Sequence, residues 1–241
     1  MKIVDYITNK IGRLPRGYVF TYVDFMDQVD NREAIIKTLN RMVASGKIEK
    51  LSKGKYYKPE TTPFGTLLPS QEQVVKDLLV ENGKVVGYLT GYSVYNQLGL
   101  TTQVGNIIQI GKNDIRPSFK RERYMIAFIR QKNTITKENI PLLQILDAMR
   151  YIKKIPDTTV SASIKRLLSI VKELTMAEQN NLVYLSLKYP PSTRALLGAM
   201  LEQLRRKVPI EKLRKTLNPI TKYALPGALK GLPNAQNWNI E

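Results

Sequence analysis

The apolar positions of the first 62 residues follow two periods. Ile3, Val4, Ile7 and Ile11 recur at helical spacing and Gly12 follows where a helix would stop, which predicts a first helix over 1–12. Beyond Pro15, YVFTYVDFMDQV predicts a short extended piece, then a short helix N-capped by Thr21 with Asp24 as its reciprocal partner. A third helix follows in VDNREAIIKTLNRMVASG, with Asp30 as the expected N-cap, Glu33 completing a capping box and Gly46 at C′. On it Ile35, Leu39, Met42 and Val43 share one face, while Glu33, Lys37, Asn40, Arg41 and Ala44 share the other. One side packs and the other is free to read something. The period then shortens: KIEKLSKGKYYK predicts strands over 48–51 and 55–58, joined through Ser52, Lys53 and Gly54.

Three helices followed by a hairpin is the order of a winged helix-turn-helix domain, here 1–62. PETTPFGTLLPS is a Pro- and Thr-rich link, after which Pro69 and Ser70 predict a helix through Val80. Residues 83–111 mix short strands with a small helix around Ser93 to Leu98, and FKRERYMIAFIR predicts a strand over 119–130. From Asn139 the pattern is mainly helical, with helices expected at 139–153, 157–172, 175–188, 192–207 and 209–217. Leu196, Leu197, Met200, Leu201 and Leu204 are expected core. The Pro-, Gly- and Asn-rich tail, 220–241, predicts a loose wrapping arm. The expected fold class is therefore α+β: a winged helix over 1–62, then a mixed α/β and mainly helical C-terminal domain over 63–219.

Composition narrows the chemistry. The chain has no Cys and no His, which removes disulfides, thiolate nucleophiles, the commonest general base and the commonest metal ligands. Its 20 acidic residues show no clustered pair assignable as a metal site or an acid/base couple, and GNIIQIGKND lacks the Ser/Thr and the spacing of a phosphate loop. A non-enzyme without metal or cofactor is expected. No apolar run approaches membrane-spanning length and the N-terminus lacks a signal-peptide pattern, so a cytoplasmic protein with no membrane partner is expected.

Charge is the positive signal. With 38 Lys+Arg against 20 Asp+Glu the net charge is +18, a balance that draws polyanions through phosphate neutralisation and counterion release. The excess is distributed: 12 basic to 7 acidic residues over 1–62, 18 to 11 over 63–202, and 8 to 2 over 203–241. Asn31, Arg32, Lys37, Asn40 and Arg41 on the third helix are types that read bases or hold phosphates. In the hairpin, Lys50, Lys53, Lys55 and Lys58 are expected to face a polyanion. Of Tyr56 and Tyr57, one is expected to point inward and one outward, since strand side chains alternate. Arg205, Arg206, Lys207, Lys212, Arg214 and Lys215 form a candidate second basic patch. The competing readings are a solvated helix face and a charged edge hairpin that resists aggregation.

The N-terminal unit together with GYLTGYSVYNQLGLTTQVGNIIQI, residues 87–110, resembles the antitoxin family of AbiE-type (AbiEi-like) toxin–antitoxin systems. Its hallmark is similar to the stretch from Tyr88 to Gln103, and YPPSTRALLGAMLEQL, residues 189–204, resembles the end of the same domain. The resemblance implies an abortive-infection antitoxin and transcriptional repressor. Its implied partners are inverted-repeat operator double-stranded DNA and a cognate nucleotidyltransferase-like toxin, which some members neutralise without a stable complex. Two other readings stand beside it: an RNA- or ribosome-binding basic protein without an operator, and a nucleic-acid enzyme using carboxylates and a divalent metal.

Overall fold

The computed structural model describes residues 3–103 and 105–241. Met1 and Lys2, at the start of the first predicted helix, and Val104, inside the 87–110 segment, lie outside the described residues. The fold is α+β and divides into two compact units. The first runs to Leu78 and includes Lys120–Arg123; the second takes Leu79–Phe119 and Tyr124–Glu241.

In the first unit, α1 (Ile3–Arg13) runs through Gly12 instead of stopping there. Glycine in a helix costs about 1 kcal/mol relative to alanine, and the Lys58 ammonium holds this end by donating to the carbonyls of Gly12 at 2.7 Å and Leu14 at 2.9 Å. After β1 (Val19–Phe20) comes a single 3-10 turn, Tyr22–Phe25, capped as expected: Thr21 and Asp24 satisfy each other's backbone donors. Asp27 ties the following loop to α1 by accepting from the Tyr6 hydroxyl and from Lys10, and these two donors hold its carboxyl below the usual range.

The next helix, α2 (Arg32–Ala44), begins one residue later than expected. Asn31 and not Asp30 is its N-cap, because it is the Asn31 side-chain oxygen that receives the Ala34 N–H, at 2.9 Å. The other end follows the sequence: Gly46 sits at φ +68°, Gly46 N donates to Val43 O and Lys47 N to Met42 O, the two bonds of a Schellman motif. Ile35 and Leu39 are fully buried, with Met42 beside them, in a core shared with Ile7, Phe20, Phe25, Ile48 and Tyr56.

Strands β2 (Glu49–Ser52) and β3 (Lys55–Tyr57) form the hairpin, and β1 adds to its other side in the order β1-β3-β2, antiparallel throughout. Strands β4 (Glu60–Thr62) and β5 (Gly65–Leu67) make a second, small hairpin. Helical turns α3 (Gln71–Val74) and α4 (Lys76–Leu79) replace the single helix expected to Val80, the break falling at Val75. Gln73 accepts from Val19 N at 3.1 Å, and the Lys76 ammonium lies 3.9 Å from the centre of the Tyr18 ring. Composition places a domain border at residue 62, whereas residues 63–78 pack within the first unit.

The second unit opens with the hairpin β6 (Val80–Glu81) and β7 (Lys84–Val85), turned by Asn82 and Gly83 at positive φ. Strand β8 (Gly87–Thr90) leads through the one-turn α5 (Tyr92–Tyr95) to β9 (Ile107–Lys112). The strand expected over 119–130 is two: β10 (Phe119–Arg121) and β11 (Tyr124–Arg130), separated by a turn with Glu122 at φ +52°. Strand β9 pairs antiparallel with β8 and parallel with β11. Four longer helices follow close to their expected places: α6 (Ile140–Arg150), α7 (Val160–Glu173), α8 (Met176–Ser186) and α9 (Pro191–Gln203). The helix expected over 209–217 is a single turn, α10 (Glu211–Arg214).

The tail is not a loose arm. Leu225, Ala228, Leu232, Ala235, Trp238 and Ile240 are buried in the main core with α6 to α9. Trp238 lies over Gly198, where a Cβ would come within 2.2 Å of the indole ring, so glycine is what lets the ring approach α9. Glu202 on α9 accepts from Asn234 at 2.7 Å and from the Trp238 indole at 3.2 Å, and pairs with Arg214 at 2.9 Å.

Candidate nucleic-acid interface

The outward face of α2 is as the sequence places it: Glu33, Lys37, Asn40, Arg41 and Ala44 are all on the solvent side and all exposed. With Ile36 they line an open groove along the helix. Among the described residues neither Lys37 nor Arg41 has an ion-pair partner, so both cations are available to a ligand. The other three candidate residues on this helix already have work in the fold. Asn31 caps it, the Arg32 guanidinium lies 4.6 Å from the centre of the Tyr22 ring, and the Asn40 side-chain oxygen accepts from the Tyr56 hydroxyl at 3.0 Å. Asn40 is therefore a hinge between helix and hairpin, with one acceptor lone pair committed.

Both tyrosines of the hairpin are buried, against the expectation of one inside and one out. Strand alternation holds, but the sheet has two covered faces. Tyr56 enters the core of α1 and α2, stacking on Phe20 at 6.4 Å between ring centres. Tyr57 points the other way, opposite Val19 in the register, and its hydroxyl donates to Glu49. Burial first, and then Glu49, push the Tyr57 phenol far above its usual range.

The four lysines split in the same manner. Lys55 pairs with Asp77 at 2.7 Å, and Asp77 is also gripped by Arg121 at 2.7 Å. Burial raises the Asp77 carboxyl, but the hydrogen bonds from Arg121 and then Lys55 outweigh it and hold the group below its ordinary range. Lys58 caps the end of α1. Lys50, directly across from Tyr56, and Lys53, in the turn with Gly54 at φ +76°, are exposed. Of the candidate residues on α2 and the hairpin, those offered to a polyanion thus reduce to Lys37, Arg41, Lys50 and Lys53.

The second basic patch also thins. Arg214 is bound to Glu202 and Asn237 with its guanidinium 4.4 Å from the Trp238 ring centre, and Arg206 donates to Lys172 O at 2.7 Å. Arg205, Lys207, Lys212 and Lys215 have no carboxylate partner among the described residues.

Residues 6–179 match the model of a family of unknown function, DUF6088. The chain belongs to that family. The matched stretch holds α2, its hairpin and the sheet of the second unit. No curated protein matches the chain. The fold of this DUF6088 chain is similar to the crystal structure of the RV2827C protein from Mycobacterium tuberculosis, with a TM-score of 0.57 at 12% identity over 92% of this chain and 83% of that one.

One feature of this DUF6088 protein is absent from the sequence-based expectations. Asp147 on α6 is 1% exposed in the apolar core of the second unit. It accepts from the Tyr88 hydroxyl at 2.7 Å, Thr90 at 2.8 Å and Tyr189 at 2.9 Å. Gln131 donates to both tyrosine oxygens at 2.8 Å and is itself held by Asn133. Burial pushes the Asp147 carboxyl up, against three hydroxyl donors that favour its ionised form. A lone acid in the apolar run IPLLQILDAM is the signal that marks it. Tyr88 and Thr90 lie in the Tyr88 to Gln103 stretch, so at least part of that stretch serves to pin β8 to α6.

Proposed function

We propose that the first unit is a winged helix that binds operator DNA and that the protein is an AbiE-type antitoxin, non-enzymatic and cytoplasmic. The observation that supports this reading most is the unpaired Lys37 and Arg41 on the outward face of α2, joined through the Asn40–Tyr56 bond to a hairpin that presents Lys50 and Lys53. In this reading α2 enters the major groove, Arg41 pairs with guanine, Lys37 and the two hairpin lysines take phosphates, and Asn40 holds the angle between them. The second unit carries the antitoxic activity against a nucleotidyltransferase-like toxin encoded beside this chain.

Arg41→Ala is expected to weaken operator binding by about 1–3 kcal/mol and to relax preference at one base pair. Lys37→Ala is expected to weaken all duplexes alike. Unchanged operator affinity in both folded variants would remove α2 from the interface. Antitoxic activity is tested separately, by co-expressing the chain with the product of the neighbouring reading frame and measuring growth. The unpaired Arg205, Lys207, Lys212 and Lys215 favour a second reading, a structured-RNA binder. Tighter binding to RNA than to the upstream duplex would select it.

A further inference from the structure

The second unit contains a cavity of about 320 Å3 lined by Arg130, Lys132, Arg150 and Lys188 around Gln131 and Tyr189. Its construction follows from local sequence. Arg130 ends β11, and Arg130 and Lys132 are exposed while Gln131 between them is 4% exposed, the alternation of an extended chain. Arg150 closes the last turn of α6. Lys188 leaves the end of α8 and donates to the Lys132 carbonyl at 3.3 Å, which closes the wall between strand and helix. The proline pair at the entry to α9 gives the remaining side a rigid, uncharged surface.

The floor is fixed independently of the walls. Gln131 and Tyr189 are bonded to each other at 2.8 Å and, through Tyr189, to the buried Asp147 at 2.9 Å. The four cations therefore stand on a rigid polar base. Among the described residues none of the four is ion-paired and no lining residue is acidic. That distinguishes them from Lys55, Lys112, Arg121 and Arg214, each of which has a carboxylate. Like charges gathered in one concavity repel, and the same geometry focuses a positive potential on whatever anion enters.

We propose that this cavity is a binding site for a linked di- or triphosphate group. The volume lies at the lower end of small-ligand sites, about 300–1,000 Å3. A single phosphoryl group brings about two negative charges, so four cations match a phosphate chain and exceed the need of one phosphate. The residue types suit such a ligand, since two guanidinium forks grip phosphate oxygens in pairs and two ammonium groups act as mobile point charges. The site is independent of the DNA-binding reading, since none of its residues belongs to the first unit. Nucleoside triphosphates and inorganic polyphosphate share this chemistry.

The test is calorimetric titration of the full chain at physiological salt with tripolyphosphate, pyrophosphate, orthophosphate and the nucleoside triphosphates. Tripolyphosphate is expected to bind at least tenfold more tightly than orthophosphate. Arg130→Gln with Arg150→Gln, or Lys132→Gln with Lys188→Gln as a second pair, is expected to weaken it at least tenfold while melting is unchanged. Lys165→Gln with Lys172→Gln, exposed positions on α7 outside the cavity, is expected to leave it unaltered. Tighter binding of one nucleoside triphosphate than of tripolyphosphate would identify a nucleotide as the source, and equal binding would identify inorganic polyphosphate. The proposal is overturned by absence of heat with every phosphate chain, by equal weakening in the control pair, or by loss of duplex affinity alone in the cavity variants.

Discussion

Two of the hairpin lysines hold the fold and two face outward, and this division can be measured. Lys58→Ala removes two charge-assisted bonds to carbonyls at the end of α1, at 2.7 and 2.9 Å. Such bonds contribute about 1.5–3 kcal/mol each at most, and the partial exposure of this site and the access of water to the freed carbonyls reduce the loss. A destabilisation of about 1–2 kcal/mol is expected, which for a chain of this length corresponds to a fall in Tm of about 2–8 °C. Lys55→Ala breaks the pair with Asp77 but leaves Arg121 in place, so its cost is smaller, about 0.5–1 kcal/mol. Lys50→Ala and Lys53→Ala break no ion pair among the described residues and are expected to leave Tm within about 1 °C, as exposed substitutions usually do. Binding reverses the order. Each outward lysine that neutralises a phosphate contributes about 0.9 to the slope of log K against log salt, so the Lys50→Ala Lys53→Ala double variant is expected to lose nearly two from that slope. Thermal melting and duplex titration across a salt series read the two effects on the same set of variants. If Lys55→Ala and Lys58→Ala flatten the slope as much as the outward pair while melting normally, the division is wrong.

Gly198→Ala is expected to destabilise the protein by about 1–3 kcal/mol in urea unfolding, because the new Cβ would lie 2.2 Å from the Trp238 ring and the tail must shift. Gly12→Ala, in a helix with open space at that position, should be neutral or stabilising in the same assay. Asp77 has a depressed folded pKa, so its stabilising contribution is complete above the unfolded value near 4 and is lost as pH falls through the folded value. Asp77→Asn should therefore weaken the wild-type loss of stability on acidification below about pH 4. Asp147→Ala strands the hydroxyls of Tyr88, Thr90 and Tyr189 in the core and is expected to cost at least about 3 kcal/mol by the same unfolding measurement, with Tyr189→Phe costing less.

The parts of this fold that are local in origin are legible in the chain. The two faces of α2, the Thr21 cap with Asp24, the Gly46 stop and the Gly54 turn each depend on residues within a few positions of one another. The departures arise from distant packing. Nothing near Tyr57 announces that residues 70–78 belong with the same unit and that the second face of the sheet is covered, so alternation alone places one tyrosine in water. Lys55 and Lys58 look like their neighbours in sequence, and only Asp77 and the end of α1 set them apart. The tail misleads for a different reason. Leu225, Ala228, Leu232, Ala235 and Trp238 do recur every three or four residues, but the Pro and Gly among them suggest an unstructured arm when they instead shape two 3-10 turns, Ala228–Lys230 and Ala235–Trp238. The cavity around Gln131 unites residues 130–132, 150 and 188–191, a grouping no local pattern contains.

The central claim, that α2 and its hairpin read a specific duplex, is tested most directly by fluorescence anisotropy of the full chain with its own upstream duplex and a scrambled one across a salt series. The account predicts a preference for the native duplex of at least about a thousandfold at physiological salt, lost in Arg41→Ala. Equal affinity for the two duplexes, falling together as salt rises, would contradict it and reduce the +18 charge to general polyanion attraction.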